Sequence, residues 1–180
     1  MTMKLFHCPG SCSLATRIAL EEAGADYETI RVDFASGEQT KPAYLAINPK
    51  GRVPALMTDR GLLTENVAIL AYIAQSFPAR KLAPLDDPFA FAQMQAFNSY
   101  LSSTVHVNHA HKGRGYRWAN EESSFADMKR KVPETMAASF DLIEREMFRG
   151  PWVMGEAFTV ADAYLFTLAT WLKGDGVDVA

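Results

Sequence analysis

The sequence has little of what marks secreted or membrane-spanning proteins. It contains only two cysteines, Cys8 and Cys12, among 180 residues, whereas a secreted disulfide framework uses more of them, spread along the chain. No apolar run approaches the ~20 residues that cross a bilayer. Residues 1–7 hold one short apolar patch that is followed at once by Pro9 and Gly10, which does not fit a signal peptide. We therefore expect a protein of the reducing cytoplasm that has no membrane partner.

The chain also lacks an excess of positive charge. Its formal net charge is -3, which argues against a general nucleic-acid binder. Hydrophobic residues make up 48% and charged residues 22% of the sequence, as in ordinary globular proteins. The length suits one large domain or two small ones.

The first part of the chain alternates strand and helix patterns. The patterns predict strands at residues 4–8, 27–34, 53–57 and 62–64, and helices at 14–23, 43–47 and 65–77. A strand-helix-strand order over so few residues predicts two parallel strands with a right-handed crossover. The last two strands flank the turn Asp59-Arg60-Gly61 and predict a hairpin.

Pro54 does not fit the interior of a sheet, because proline cannot donate to the strand ladder. The residue pattern alone favours an edge strand with a trans peptide at Pro54. The alternative is a cis bond at the start of a strand that faces a ligand.

The second part of the chain is predicted to be helical. A proline-rich segment at residues 78–88 is followed by helix patterns at 89–111, 121–148 and 158–172. Pro133 is expected to kink or break the second of these helices. Thr159 and Asp162 have the spacing of a capping box, which we interpret as a folding signal rather than a site.

The turn before the first helix holds the most reactive candidate, Cys12. A cysteine in the first turn of a helix lies at the positive end of the dipole, so we expect a lowered pKa. Cys12 can then attack a disulfide, or the same field can stabilise the thiolate of a bound ligand, with Ser11 and Ser13 as hydrogen-bond donors. The alternative is a small buried cysteine without chemistry. The C-x-x-x-C spacing to Cys8 favours neither a dithiol pair nor a metal site.

Two further segments offer groups to a peptide-like ligand. The entry to the strand at Val53-Pro54 leaves backbone groups free to pair with an added peptide strand. Glu65 and Asn66 open a helix and form a polar nest that suits an amino-acid head group. Dipole stabilisation is the alternative role of Glu65.

The histidines and the basic stretch of the helical part are less informative. His106 and His109 are three residues apart on one helix face, without a third metal ligand at suitable spacing. We interpret them as a solvated face. The basic residues between 112 and 118 predict a surface loop, or alternatively a stretch that attracts an anionic ligand.

Four segments together resemble the cytosolic glutathione transferase family, and are most similar to its bacterial beta class. They are residues 9–14, 45–56, 63–69 and 158–165, in the order of that family. The resemblance implies an α/β plus all-α protein. A thioredoxin-like βαβ-α-ββα domain would occupy residues 1–77, with a linker at 78–88 and an all-helical domain at 89–180. Since family members continue with further helices, the resemblance also implies a truncation at Ala180.

The resemblance assigns roles to the residues that match its motifs. It implies that Val53 pairs with the backbone of the glutathione cysteine beside a cis-Pro54. Glu65 and Asn66 would hold the γ-glutamyl amine and carboxylate.

Three residues are the implied catalytic group. Cys12 or Ser11 would face the sulfur, and His106 would reach the site from the helical domain. The first strand carries His7 where many relatives have tyrosine, which does not support a tyrosine-type mechanism.

The implied activity is conjugation of glutathione, used as co-substrate without a metal, to a small electrophile in detoxification. The alternatives are a glutathione-dependent disulfide or peroxide reductase that uses Cys12, and a non-catalytic binder of glutathione or apolar ligands. The family implies a homodimer. Phe89, Phe91 and Met94 are candidates for its interface, although core burial explains them equally well.

Overall fold

A computed structural model describes residues 2–179 of the chain, so the truncation expected at Ala180 lies outside the described residues. The first part of the chain forms four strands and three α-helices. In chain order they are β1 (Met3–His7), α1 (Ser13–Ala23), β2 (Tyr27–Arg31), α2 (Pro42–Leu45), β3 (Ala55–Thr58), β4 (Gly61–Thr64) and α3 (Asn66–Ser76).

The four strands form one mixed sheet in the order β2-β1-β3-β4. β1 runs parallel to β2, with Phe6 opposite Ile30, and antiparallel to β3, with Phe6 opposite Ala55. β3 and β4 form an antiparallel hairpin that turns between Thr58 and Gly61. The predicted parallel pairing of the first two strands and the predicted hairpin are both confirmed, and the first domain has a thioredoxin-like fold.

Pro54 departs from the prediction made from the residue pattern alone. The Val53–Pro54 peptide bond is cis, and β3 pairs with a strand on both sides instead of lying at an edge. The expected edge strand with a trans proline is therefore wrong. The sheet accommodates the proline because the ladder of β3 begins one residue later, at Ala55, where a backbone donor is first needed.

The second part of the chain is built from helices. They are α4 (Pro88–Tyr100), a π-helical turn (Leu101–Val105), α5 (His106–Arg114), α6 (Glu122–Leu142), a second π-helical turn (Ile143–Met147) and α7 (Val160–Ala169). α6 continues through Pro133, so of the two predicted outcomes, a kink or a break, the break is wrong. Val132 and Met136 are both buried on the inner face of α6, and this packing holds the helix where one backbone donor is missing.

One apolar core joins the sheet domain to the helices. Leu20 of α1, Ile69 of α3 and Tyr164 of α7 are all almost fully buried in the same cluster. Full burial of a leucine or isoleucine side chain stabilises a fold by about 1.5–3 kcal/mol. The two parts are therefore held in one fixed arrangement, with a cleft between them on the side of the Cys12 turn. Met94 belongs to this core, whereas Phe89 is 72% exposed.

The start of α7 confirms the predicted capping box. The Asp162 carboxylate accepts hydrogen bonds from the backbone N–H groups of Val153 (2.7 Å) and Thr159 (2.8 Å), and from the Thr159 hydroxyl (3.0 Å). The N–H of Val160 donates to the carbonyl of Leu82 at 2.9 Å. The motif thus attaches α7 to residues 78–88 and stabilises the fold, as the sequence indicates.

Candidate functional site

A cavity of about 600 Å³ lies between the thioredoxin-like domain and α5. Its volume is typical of a site for a small molecule. All seven residues predicted for the site line this cavity, and they are Ser11, Cys12, Val53, Pro54, Glu65, Asn66 and His106. The structure therefore brings together residues that are up to 95 positions apart in the sequence (from 11 to 106).

The predicted activation of Cys12 is wrong. Cys12 occupies the N-cap position of α1, and its thiol donates to the carbonyl oxygen of Val53 across 3.4 Å. Burial raises the pKa of Cys12 to about 12, and the opposing effects of Arg114 and of a backbone hydrogen bond are smaller. Desolvation of the sulfur outweighs the helix dipole, so the resting Cys12 is a neutral thiol and a hydrogen-bond donor.

The Ser11 hydroxyl is engaged inside its own turn. It donates to the carbonyl of Cys8 at 2.8 Å and lies 2.7 Å from the hydroxyl of the buried Ser13. The backbone N–H of Cys8 donates in turn to the Ser13 hydroxyl at 3.2 Å. Ser11 can face a ligand only if it gives up a bond that shapes the turn.

The loop before the cis-proline is held by the carbonyl of Arg52. This oxygen accepts from the Tyr44 hydroxyl at 2.7 Å and from the Asn48 side-chain amide at 2.8 Å. Tyr44 and Asn48 are both buried. The position of Val53 at the cavity wall is therefore fixed before any ligand arrives.

Glu65 has an unusual backbone conformation, with φ at 69°. For a residue other than glycine this conformation costs roughly 1–3 kcal/mol and tends to occur at functional sites. Its carboxylate pairs with Lys50 at 2.7 Å near the protein surface. The turn places the N–H groups at the start of α3 at the cavity wall, as the prediction of a polar nest requires.

The Asn66 side chain has a structural role that the sequence did not reveal. Its Oδ1 accepts from the Thr16 hydroxyl at 2.7 Å, and its Nδ2 donates to the carbonyl of Cys12 at 2.7 Å. Asn66 thereby ties the start of α3 to the Cys12 turn. Because the side chain is already used, the backbone N–H is the group that Asn66 can offer to a ligand.

The expected solvated face of histidines is also wrong, because His106 and His109 both line the cavity. Their rings contact Trp171, which stacks on His109 with centroids 4.1 Å apart and meets His106 edge-on at 5.1 Å. Burial, assisted by nearby cations, lowers the pKa of His106 to about 3. His106 is therefore a neutral imidazole at physiological pH.

His109 is oriented by a buried carboxylate. Its Nδ1 lies 2.7 Å from Oδ2 of Asp175, whose side chain is completely buried and also contacts Lys112 at 3.2 Å. Burial lowers the pKa of His109, and the bond to Asp175 opposes this effect. The indole N–H of Trp171 donates to the carbonyl of Gly10 at 2.9 Å, which joins the residues after α7 to the Cys12 turn.

Sequence reasoning missed Trp171 and Asp175 because neither lies in a motif. It included Arg114 and Arg117 in the basic stretch, and favoured a surface loop there over the alternative of a stretch that attracts an anionic ligand. Arg114 ends α5, and both arginines line the cavity.

Within residues 2–179, no group of three or more histidine, cysteine or acidic side chains is arranged to hold a metal ion. None of the described helices combines the length and the apolar character that crossing a bilayer requires. Cys8 and Cys12 are both free thiols.

The fold and the cavity define a class of protein: a thioredoxin-like domain followed by a helical domain, with a thiol-bearing turn in the cleft between them. The family model for the glutathione S-transferase N-terminal domain matches residues 1–75, and that for the C-terminal domain matches residues 122–180. Glutathione S-transferase GstA from Escherichia coli O157:H7 is 36% identical over 172 residues, which cover 94% of this chain and 82% of that protein. The chain belongs to the glutathione S-transferase family.

Two solved structures are similar over nearly the whole chain. A glutathione transferase homologue from Sulfitobacter with bound glutathione is 55% identical with a TM-score of 0.96, and the match covers 98% of this chain and 85% of that one. A beta-class glutathione S-transferase from Sphingomonas chungbukensis is 34% identical with a TM-score of 0.83, and covers 97% and 85%. The predicted family, its likeness to the bacterial beta class and the predicted fold are confirmed.

Proposed function

We propose that this protein conjugates the thiolate of glutathione to a small electrophile in the cavity between its two domains. The observation that carries the proposal is the meeting of the Cys12 turn, the Val53-Pro54 entry and the Glu65-Asn66 nest around one cavity. Support comes from the family, whose Sulfitobacter homologue was solved with bound glutathione.

Glutathione would lie along the wall made by the thioredoxin-like domain. The backbone of Val53 would pair with the peptide, since the approach to β3 is fixed by Tyr44 and Asn48. The Glu65 carboxylate would hold the γ-glutamyl amine. The N–H groups that open α3, including that of Asn66, would hold its carboxylate.

This placement puts the glutathione sulfur at the Cys12 turn. A neutral Cys12 thiol can turn from the Val53 carbonyl and donate to the ligand thiolate, which stabilises the charged nucleophile. The proton that glutathione loses goes to water. Ser11 can join as a second donor, and the neutral His106 serves as a hydrogen-bond partner rather than as a base.

The raised pKa of Cys12 counts against the disulfide or peroxide reductase, because a mixed disulfide forms from a thiolate. Cys12→Ser keeps a donor and removes the redox centre, whereas Cys12→Ala removes both. We expect conjugation to persist in Cys12→Ser and to fall in Cys12→Ala.

The test of the proposal combines turnover with calorimetry. Glutathione and an aryl halide such as 1-chloro-2,4-dinitrobenzene should give product faster than the uncatalysed reaction, and glutathione should bind with one site per chain. Binding without turnover on a broad panel of electrophiles would point to the non-catalytic binder. Absence of glutathione binding would refute the site itself.

We propose a homodimer in which the exposed Phe89 at the start of α4 contributes to the interface. Sedimentation of Phe89→Asp tests this proposal.

We also propose domain limits of 1–77 and 89–180. The segment 78–88 between them is packed, since Leu82 and Ala83 are buried. The two free cysteines fit a reducing cytoplasm.

A further inference from the structure

The cavity has an excess of positive charge. Arg52, Arg114 and Arg117 line it, and among residues 2–179 the only carboxylate that lines it is Glu65, which is already paired with Lys50. A cavity with this balance attracts anions and concentrates them.

Arg114 is the most informative of these cations. Its side chain is half-buried at the end of α5, yet it forms no salt bridge or hydrogen bond within the described part of the chain. Burial and the repulsion from Arg117 lower the pKa of Arg114. Withdrawing a guanidinium from water without a partner is costly, so the arrangement suits a partner that arrives from outside the chain.

Arg114 lies near the reacting end of the cavity. It is the charged group with the largest effect on both the Cys12 thiol and the His106 imidazole. The γ-glutamyl nest at Glu65 and Asn66 belongs to the other domain. An anion that pairs with Arg114 would therefore lie near the sulfur, where the electrophilic acceptor also has to lie.

Two aromatic residues follow Arg114 at the same wall. Tyr116 is 63% and Trp118 is 46% exposed, and both line the cavity. The Arg117 guanidinium lies 6.0 Å from the centre of the Tyr116 ring. Exposed aromatic side chains beside arginines offer stacking surface to a flat, negatively charged molecule.

We propose that the acceptor site selects aromatic electrophiles that carry a carboxylate, with Arg114 and Arg117 as the residues that determine this specificity. The proposal rests on the proposed glutathione transferase activity. A guanidinium fork can hold a carboxylate through two parallel hydrogen bonds, while the ring of the acceptor lies against Tyr116 and Trp118.

Two matched probes separate charge from shape: 4-fluoro-3-nitrobenzoate and its neutral amide, 4-fluoro-3-nitrobenzamide. In either reaction the glutathione thiolate forms a C–S bond at the carbon that bears fluorine, and the C–F bond breaks with fluoride leaving as the anion. The thiol proton passes to water. The two probes differ only in the group that Arg114 is proposed to bind.

The measured quantity is the ratio of kcat/KM for the benzoate to that for the amide, each corrected for its uncatalysed rate. The wild type should favour the benzoate. Arg114→Gln should lower the ratio about 10- to 100-fold, as expected for loss of a charge-assisted hydrogen bond. The ratio for Arg114→Lys should fall between the ratio for the wild type and that for Arg114→Gln. Arg117→Gln, at an exposed position, should lower the ratio without risk to folding.

Arg130→Gln is the matched control, because Arg130 is exposed on α6 and pairs with Asp127 outside the cavity. It should leave the ratio unchanged. An equal loss on both probes in Arg114→Gln would show that Arg114 acts on the thiolate instead, and would overturn the proposal.

A binding measurement keeps failure of this proposal distinct from failure of the proposed activity. Calorimetry compares the two preformed glutathione conjugates of the probes. The carboxylate conjugate should bind more tightly to the wild type, and Arg114→Gln should abolish the difference. Equal affinities in the wild type overturn the specificity even if both probes are turned over. Preferential binding without turnover of either probe contradicts the activity alone.

Discussion

The two walls of the cavity are built in opposite ways. On the thioredoxin-like wall, the polar groups are tied to one another: Asn66 bonds to Thr16 and to the Cys12 carbonyl, and Glu65 pairs with Lys50. On the wall formed by the end of α5 and the residues after it, Arg114 has no hydrogen-bond or ion-pair partner within residues 2–179, and Tyr116 is largely exposed. The thioredoxin-like wall is preorganised, and we call it the fixed wall. The other wall presents unsatisfied charge and exposed aromatic surface, and we call it the open wall.

This difference separates two tasks. A preorganised wall loses little entropy when it binds, which suits one invariant ligand. An exposed wall of loops and aromatics can fit different acceptors without disturbing the core. The wall that includes α5 also holds the neutral His106 and the His109–Asp175 pair. This part of the wall is therefore rigid, although Arg114 and Tyr116 are not held in the same way.

The largest effect is expected for alkylation of Cys12, on the fixed wall. Burial raises the pKa of Cys12 to about 12, so its thiolate fraction at pH 7 is about a thousandfold below that of an unperturbed cysteine. Iodoacetamide should therefore modify it far more slowly in the folded protein than in urea. Mass spectrometry of Cys8→Ser, which leaves Cys12 as the only thiol, measures both rates. Similar rates in the two conditions would contradict the raised pKa of Cys12, and a faster rate in the folded protein would show an activated thiol.

The side chain of Asn66, on the fixed wall, should contribute strongly to the stability of the folded protein. Asn66→Ala leaves the buried Thr16 hydroxyl and the Cys12 carbonyl without their partner, and we expect a loss of about 2–4 kcal/mol in the free energy of unfolding. Urea denaturation measures the loss. Asn120→Ala, at an exposed position, should change stability by less than about 0.5 kcal/mol. Equal small effects of both variants would remove the contrast between the walls.

Acid should lower the free energy of unfolding through His106. The pKa of His106 falls from 6.5 to about 3 on folding, mainly because of burial. Between these values the unfolded chain binds a proton that the folded chain does not. The free energy of unfolding should therefore decrease as pH falls below 6.5, by at most about 1.4 kcal/mol per pH unit from this residue.

Urea denaturation between pH 7 and pH 5 tests that decrease. The lowered pKa of His109 adds an effect of the same sign, so His106→Gln should reduce the slope without abolishing it. An unchanged slope in this variant would mean that folding does not lower the pKa of His106.

The smallest effect on stability is expected on the open wall. Tyr116→Ser should change the free energy of unfolding by less than about 0.5 kcal/mol, because the side chain is 63% exposed. It should nevertheless raise KM for an aromatic acceptor about 2- to 10-fold through loss of ring contact. Phe166→Ser is the matched control, since Phe166 is 58% exposed on α7 and does not line the cavity. A similar change of KM in both variants would argue against an acceptor site at Tyr116.

The sequence predicted most of the fold because its signals are local. Gly24 is the C-cap of α1, as its position after the apolar pattern predicts. The predicted hairpin turns between Thr58 and Gly61, and the predicted capping box lies at the start of α7. The edge placement of Pro54 was wrong because strand order depends on contacts distant in the chain.

The sequence predicted which residues line the cavity better than it predicted their charge states. The resemblance selected seven residues that all line the cavity. The charge state of Cys12 was wrong because burial, which no local pattern reveals, dominates its pKa. The pairing of His109 with Asp175 spans 66 positions and carries no motif, so only the folded chain shows it.

The central claim is that glutathione lies along the fixed wall with its sulfur at the Cys12 turn. A crystal structure of the complex with glutathione tests it most directly. We predict the sulfur within hydrogen-bonding distance of the Cys12 thiol, the peptide paired with the backbone of Val53, and the γ-glutamyl group at Glu65 and Asn66. Glutathione bound with its sulfur turned away from Cys12, or bound outside the cavity, would contradict the account.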